Sequence, residues 1–189
     1  MIDSAEKSGM KALLTDLYQL TMAAGYFHAG KVSDVATFQL SIRRLPRNRN
    51  YLLAAGLQQA LEYLLALRFS SEELDYLRTL PVFHKCGKEF FDFLSEVRFT
   101  GEVWALPEGT PFFAGEPVLT VRAPIVEAQL VETYLLSTIA FQNLMASKVA
   151  GVVRAAYERR SSDDASGPAM LLPDTATAFL FSAQRRIPW

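Results

Sequence analysis

The chain has 189 residues, 50% of them hydrophobic and 21% charged, with a formal net charge of −1. That is ample material for a globular core, and it gives no global electrostatic pull toward nucleic acid or a membrane surface. The single cysteine, Cys86, excludes an intrachain disulfide and fits a reducing compartment.

The opening MIDSAEKSGMKALL has no apolar run of signal-peptide length. The longest apolar stretch, 124–150, is broken by Glu127, Gln129, Glu132, Gln142, Asn143 and Lys148, so no membrane span is expected and a cytoplasmic protein is.

In chain order, residues 15–29 read as a helix. Thr15 is placed to cap it, and Asp16 falls in the first turn, where the helix dipole favours an anion. Leu17, Leu20, Ala24 and Phe27 share one face, and Gly30 suits a left-handed stop. Residues 34–43 alternate, with Ala36, Phe38, Leu40 and Ile42 on one side and Thr37, Gln39, Ser41 and Arg43 on the other, the pattern of a half-buried strand. Residues 45–50 turn the chain.

Residues 57–67 are apolar at helical spacing, and Ser70-Ser71-Glu72-Glu73 starts another helix with acids in its first turn. A short helix follows at 88–97. Strands are expected at 99–106 and 117–121, with turns at Pro107-Glu108-Gly109 and Ala114-Gly115. Pro124 then opens a long, mostly apolar helix to about Ala156. The order of elements is that of an α+β protein.

Beyond that helix the pattern breaks. Residues 159–168 are polar and unpatterned, and 176–181 are apolar without a period. The expected division is an α+β domain with a small β-unit over 1–123, the long helix over 124–156, and a poorly ordered tail over 157–189.

His28 and His84 are the only histidines, and neither has a carboxylate or cysteine at metal spacing apart from Cys86 beside His84. All three read as structural. Gly101, Gly109 and Gly115 read as turn glycines, with no glycine-rich phosphate loop.

Several blocks point to one family. They are Leu13-Leu14-Thr15-Asp16-Leu17-Tyr18-Gln19-Leu20-Thr21-Met22, then Arg43-Arg44-Leu45-Pro46 with Asn48-Arg49-Asn50, then Ala54-Ala55-Gly56-Leu57. Leu106-Pro107-Glu108-Gly109 with Glu116-Pro117, Glu132-Thr133 and the stretch 143–149 follow in the same order. Together they cover residues 13 to about 155 and resemble the N-terminal part of the nicotinate phosphoribosyltransferases. The resemblance implies the α+β N-terminal region of a type II phosphoribosyltransferase, leading into an α/β barrel that is incomplete in these residues.

It also implies an activity. The family joins nicotinate to the ribose of phosphoribosyl pyrophosphate, coupled to ATP hydrolysis with magnesium, to make nicotinate mononucleotide in NAD synthesis. It usually works as a homodimer.

By the same resemblance Tyr18 stacks on the pyridine ring, reaching into the neighbouring subunit's site. An aromatic face suits a flat electron-poor ring, at roughly 0.5–1.5 kcal/mol beyond burial. Asp16 lies near the substrate pocket, or is simply a first-turn acid stabilising the helix by roughly 0.3–1 kcal/mol. Arg43 and Arg44 lie near the phosphate-bearing substrate, where a guanidinium fork grips phosphate oxygens. Arg43 alternates outward on the strand, so Arg44 is the better candidate and Arg43 the more easily structural.

No catalytic residue is assigned. The family's catalytic half carries a Gly-Thr-Ser-Asn block and a Gly-Thr-Met-Ala-His-Ser block whose histidine ATP phosphorylates, and neither occurs in these residues. Barrel active sites are built from loops at the strand C-termini, so these residues alone make no complete site. Back-translated with free codon choice and read one frame over, 166–189 permits a Gly-Thr-Ser-Asn start and an Ala-His-Ser close, though not the usual methionine. The expectation is a frameshift after about residue 156, with an inactive chain as its product.

Two alternatives stand beside this: a non-catalytic fragment that only dimerises, and a related enzyme acting on nicotinamide or quinolinate. If no barrel packs on 125–153, the exposed face of that helix predicts self-association.

Overall fold

The computed structural model describes residues 12–163 apart from Asn48, with the backbone alone at 161–163. Most of the tail expected at 157–189 lies outside the described residues.

Helix α1 spans Leu17–His28. Its N-cap is Asp16 and not Thr15, and the Asp16 carboxylate makes no capping hydrogen bond. The buried face is Gln19, Leu20, Ala23 and Ala24, while Leu17 is 51% exposed. The expected stripe is therefore rotated, because a buried glutamine takes a central position in it. The C-terminus closes as a Schellman motif: Lys31 N–H donates to Tyr26 O at 2.9 Å, Gly30 N–H donates to Phe27 O at 3.0 Å, and Gly30 has φ 68°.

Strand β1, Val35–Ser41, alternates as expected, with Leu40 buried and Ala36 and Phe38 half-buried between exposed neighbours. It pairs antiparallel with β5, Pro117–Pro124, in a register that sets Phe38 opposite Val121 and Leu40 opposite Leu119. The other edge of β5 takes β3, Glu102–Ala105, so the sheet order is β1-β5-β3. Val118, Leu119, Val121 and Ala123 are buried in this central strand.

A second sheet pairs β2, Leu52–Leu53, with β4, Pro111–Phe112. Two-residue strands have no readable period, and neither was expected from sequence.

Gly101 is not a turn glycine. It lies before β3 against β5, where a Cβ would meet the Ala123 side chain and come within 2.6 Å of Arg122 O. Gly109 and Gly115 do adopt left-handed conformations, at φ 81° and 86°.

Helices α2 (Leu57–Leu65), α3 (Ser71–Thr79) and α4 (Lys88–Glu96) fill the other side of the core. Gly56 caps α2 at φ 94°, and the Glu108 carboxylate accepts the Leu57 N–H at 2.7 Å. The α3 start is a complete capping box: Ser70 Oγ accepts from Glu73 N at 3.2 Å, and Glu73 Oε2 accepts from Ser70 N at 2.8 Å. Phe90, Phe91 and Leu94 of α4 are buried, and Phe90 packs against the rings of Phe27 and Phe83.

Helix α5 spans Ile125–Asp163, beyond the end expected near Ala156. Val126, Leu130, Val131, Leu135 and Ile139 are buried, whereas Phe141, Val149 and Val152 are exposed. No helix among the described residues is long and apolar enough to cross a membrane.

Candidate functional site

The start of α1 and the second and third turns of α5 meet in one polar cluster. Gln19 is fully buried between them. Its Nε2 shares two N–H hydrogens among three acceptors within reach, Tyr18 Oη at 2.9 Å, Thr133 Oγ1 at 3.0 Å and Glu132 Oε2 at 3.2 Å. Its Oε1 accepts from Gln129 Nε2, which also donates to Glu132 Oε2 at 3.1 Å. Thr133 Oγ1 donates to Asp16 Oδ2 at 3.1 Å.

Gln129, Glu132 and Thr133 can serve one partner because positions three and four apart share a helix face. That spacing was visible in the sequence, where Gln129 and Glu132 were polar breaks in an apolar helix and Glu132-Thr133 was one of the family blocks. Gln19, central to the cluster, lay inside the first family block, but nothing in the helical pattern marked it as buried.

Two sequence candidates are thereby brought together. Asp16 is exposed and joined to α5 through Thr133. The Tyr18 side is half open to solvent, with a phenol that titrates above its ordinary value. Partial desolvation is the main cause, followed by the carboxylates of Glu132 and Asp16, while the Gln19 hydrogen bond opposes the shift. Chemically, the cluster offers one aromatic face and one phenol beside two acids.

Arg43 and Arg44 lie elsewhere. Both are exposed just after β1, and neither guanidinium forms an ion pair or hydrogen bond among the described residues. The segment that follows is pinned to α5: Arg49 Nη1 donates to Ser147 O at 2.8 Å, Ser147 Oγ accepts from Leu53 N at 2.7 Å, and Asn143 Oδ1 accepts from Ala55 N at 2.7 Å. Ser147 is 14 positions beyond Thr133, roughly 21 Å along the axis at 1.5 Å per residue. The aromatic cluster and the basic segment thus occupy different stations on one rigid helix.

A shallow recess open to solvent lies between the sheet and α5 and is lined by Phe38, Leu40, Val121, Val131, Leu135 and Glu132. His28 packs against the Phe27 and Phe90 rings, and burial pushes the Cys86 thiol up. Among the described residues no group of three or more His, Cys, Asp or Glu side chains could hold a metal ion.

Comparison with known proteins adds the family. The model of the nicotinate phosphoribosyltransferase (NAPRTase) N-terminal domain matches residues 13–140. A nicotinate phosphoribosyltransferase of Mycobacterium tuberculosis is 50% identical over 148 residues, 78% of this chain and 31% of the relative. The Bacillus subtilis nicotinate phosphoribosyltransferase is 39% identical over 152 residues, 80% of this chain and 30% of the relative.

The crystal structure of human nicotinic acid phosphoribosyltransferase superposes with a TM-score of 0.70 at 32% identity, covering 91% of this chain and 35% of that one. The chain therefore spans about a third of the length of the relatives it matches. The matched segment contains the whole of the α1–α5 cluster, and the chain belongs to the nicotinate phosphoribosyltransferase family through that family's N-terminal domain.

Proposed function

We propose that this chain supplies the pyridine-contacting, N-terminal side of a nicotinate phosphoribosyltransferase. The reaction joins nicotinate to the ribose of phosphoribosyl pyrophosphate, with ATP hydrolysis and magnesium, and yields nicotinate mononucleotide for NAD synthesis in the cytoplasm. The family match over residues 13–140 carries this reading.

The half-exposed ring of Tyr18 beside Asp16 supports it, since a flat face next to polar anchors is what an aromatic acid needs. Arg43 and Arg44 are the proposed contacts to phosphate-bearing substrate, Arg44 first, and their free guanidinium groups suit that role. A homodimer belongs to the same proposal. Leu14, Leu17 and Met22 are exposed on or beside the helix that bears Tyr18, an apolar surround fitting a ring that reaches into a partner's site. The described residues give no step that runs through ATP or magnesium.

The test is turnover. With nicotinate, phosphoribosyl pyrophosphate and ATP, the 189-residue chain is expected to form no nicotinate mononucleotide at an enzymatic rate. The same chain extended through the shifted frame is expected to do so, and to prefer nicotinate over nicotinamide and quinolinate. Turnover by the short chain sinks the claim that it is inactive alone. An extended chain that prefers another pyridine sinks the substrate assignment.

A further inference from the structure

The hydrogen bonds around Gln19 have a direction, and it can be assigned outward from the carboxylates, which only accept. Glu132 Oε2 takes N–H donors from both Gln129, at 3.1 Å, and Gln19, at 3.2 Å. Gln129 Nε2 also faces Gln19 Oε1. Turning the Gln19 amide over would set donor against donor at Gln129 and acceptor against acceptor at Glu132. Gln19 is therefore locked with Nε2 toward Tyr18 and Thr133. Thr133 Oγ1, receiving from Gln19, passes its own hydrogen to Asp16 Oδ2.

Tyr18 Oη is on the receiving end as well, at 2.9 Å from Gln19 Nε2. Its own hydrogen meets no acceptor among the described residues, and the side chain is 50% exposed. A phenol that accepts from inside has one hydrogen left for the outside.

We propose that Gln19, Gln129 and Glu132 are positioning residues that hold the Tyr18 hydroxyl as an outward hydrogen-bond donor to an acidic oxygen of the bound substrate. That oxygen is either a carboxylate of the pyridine acid or a phosphoryl oxygen of the sugar phosphate. The inference rests on the proposed contact between Tyr18 and substrate. It makes the hydroxyl, and not only the ring face, a determinant of affinity. It also explains why a half-buried, accept-only acid faces two amides: a neutral side chain there would let the amides turn and the phenol point inward.

Glu132→Gln is the informative change, because it keeps shape while making the acceptor ambiguous. Side-chain amide NMR of this chain reads the lock without any ligand. The Gln19 NH₂ signals are expected to shift in Tyr18→Phe, which removes their acceptor, and to broaden or collapse in Glu132→Gln at unchanged far-UV circular dichroism. Gln19 signals that ignore both variants overturn the proposal.

Affinity reads the consequence. Dissociation constants for nicotinate and for phosphoribosyl pyrophosphate are measured by chemical-shift titration in wild type, Glu132→Gln, Tyr18→Phe and the double variant. Each single variant is expected to weaken one ligand by roughly 3- to 10-fold, the scale of one hydrogen bond, and the double variant no further. Weakening confined to nicotinate assigns the carboxylate, and weakening confined to the sugar phosphate assigns a phosphoryl oxygen. Losses that multiply in the double variant overturn the proposal, since Glu132 would then act independently of Tyr18. If neither ligand binds wild type, the substrate reading fails for this chain, while the amide signals still decide the lock.

Discussion

Replacing Tyr63 with phenylalanine should stabilise this protein. Tyr63 is 3% exposed, and its Oη is buried with no hydrogen-bond partner among the described residues. Its ring stacks on Tyr134 with centroids 3.8 Å apart and planes 16° from parallel, a contact phenylalanine keeps. A hydroxyl moved from water to an apolar site without a partner costs about 1–3 kcal/mol in protein mutational data.

The unfolded chain hydrates that hydroxyl, so its removal favours the folded state by about 1 kcal/mol or more. At about 2–4 °C per kcal/mol for a chain of this size, Tm should rise by at least a few degrees.

The same residue sets a pH dependence. Burial first, then the neighbouring Tyr134 and Glu73, pushes the Tyr63 phenol above its ordinary 10.0. Below pH about 10 the phenol is neutral in both states, and its contribution is fully present. Above that, the unfolded phenol ionises while the folded one does not, so stability falls by about 1.4 kcal/mol per pH unit until the folded group also titrates. Differential scanning calorimetry from pH 7 to 11 should show the alkaline decline shallower in Tyr63→Phe. A lower Tm in the variant at neutral pH, or an alkaline decline parallel to wild type, would refute the reasoning.

Other outcomes follow from the same contacts. Asn143→Ala should leave the Ala55 N–H without its acceptor, and Ser147→Ala the Leu53 N–H, each costing about 1–3 kcal/mol. Amide exchange at Ala55 and Leu53 should speed up in the matching variant, and unchanged exchange would show the bonds to be dispensable. Gly101→Ala should destabilise by about 1–3 kcal/mol through overpacking on Arg122 O and Ala123, read as a lowered urea midpoint; an unchanged midpoint would mean that β3 can shift without cost. The exposed Phe141, Leu144, Met145, Val149 and Val152 on α5 should drive self-association, and a monodisperse monomer in light scattering would contradict it. Sequencing the DNA across the codons for 150–189 should reveal a second frame carrying the Gly-Thr-Ser-Asn and Ala-His-Ser blocks; a stop codon between them would remove the frameshift account.

Much of this fold was legible because periodicity and capping act locally. The alternation of 34–43 is the β1 pattern, Ser70 to Glu73 start α3 with acids in its first turn, and Gly30 takes the left-handed stop. What stayed hidden depends on contacts distant in sequence. Asp16, not Thr15, is the N-cap, and its carboxylate turns from capping to accept from Thr133, 117 residues away. Gln19 takes a central place on the buried face of α1 because Gln129 and Glu132 satisfy it there. Burying an amide costs free energy unless its polar atoms find partners, and one helix alone cannot reveal them. Asp16 and Tyr18 could be singled out as neighbours from sequence, whereas the anchoring of the segment after Arg43 and Arg44 to a separate part of α5 could not.

That separation gives α5 a role beyond filling the core. Its polar positions come in pairs four apart: Gln129 with Thr133 toward α1, and Asn143 with Ser147 toward β2. Between them Gln142 bonds Gln59 at 3.1 Å and lies so close to Gly56 that a Cβ there would come within 2.8 Å of it. Each pair binds a separate part of the chain through side chains and not through apolar contact alone, so the fit fixes rotation about the helix as well as distance along it. A helix advances roughly 100° per residue, so any change of length between the pairs would turn one out of reach of its partners. The front of α5 is therefore a ruler that holds an aromatic station and a basic station in one orientation. Its apolar positions beyond Ile139 are free to face whatever the described residues do not cover.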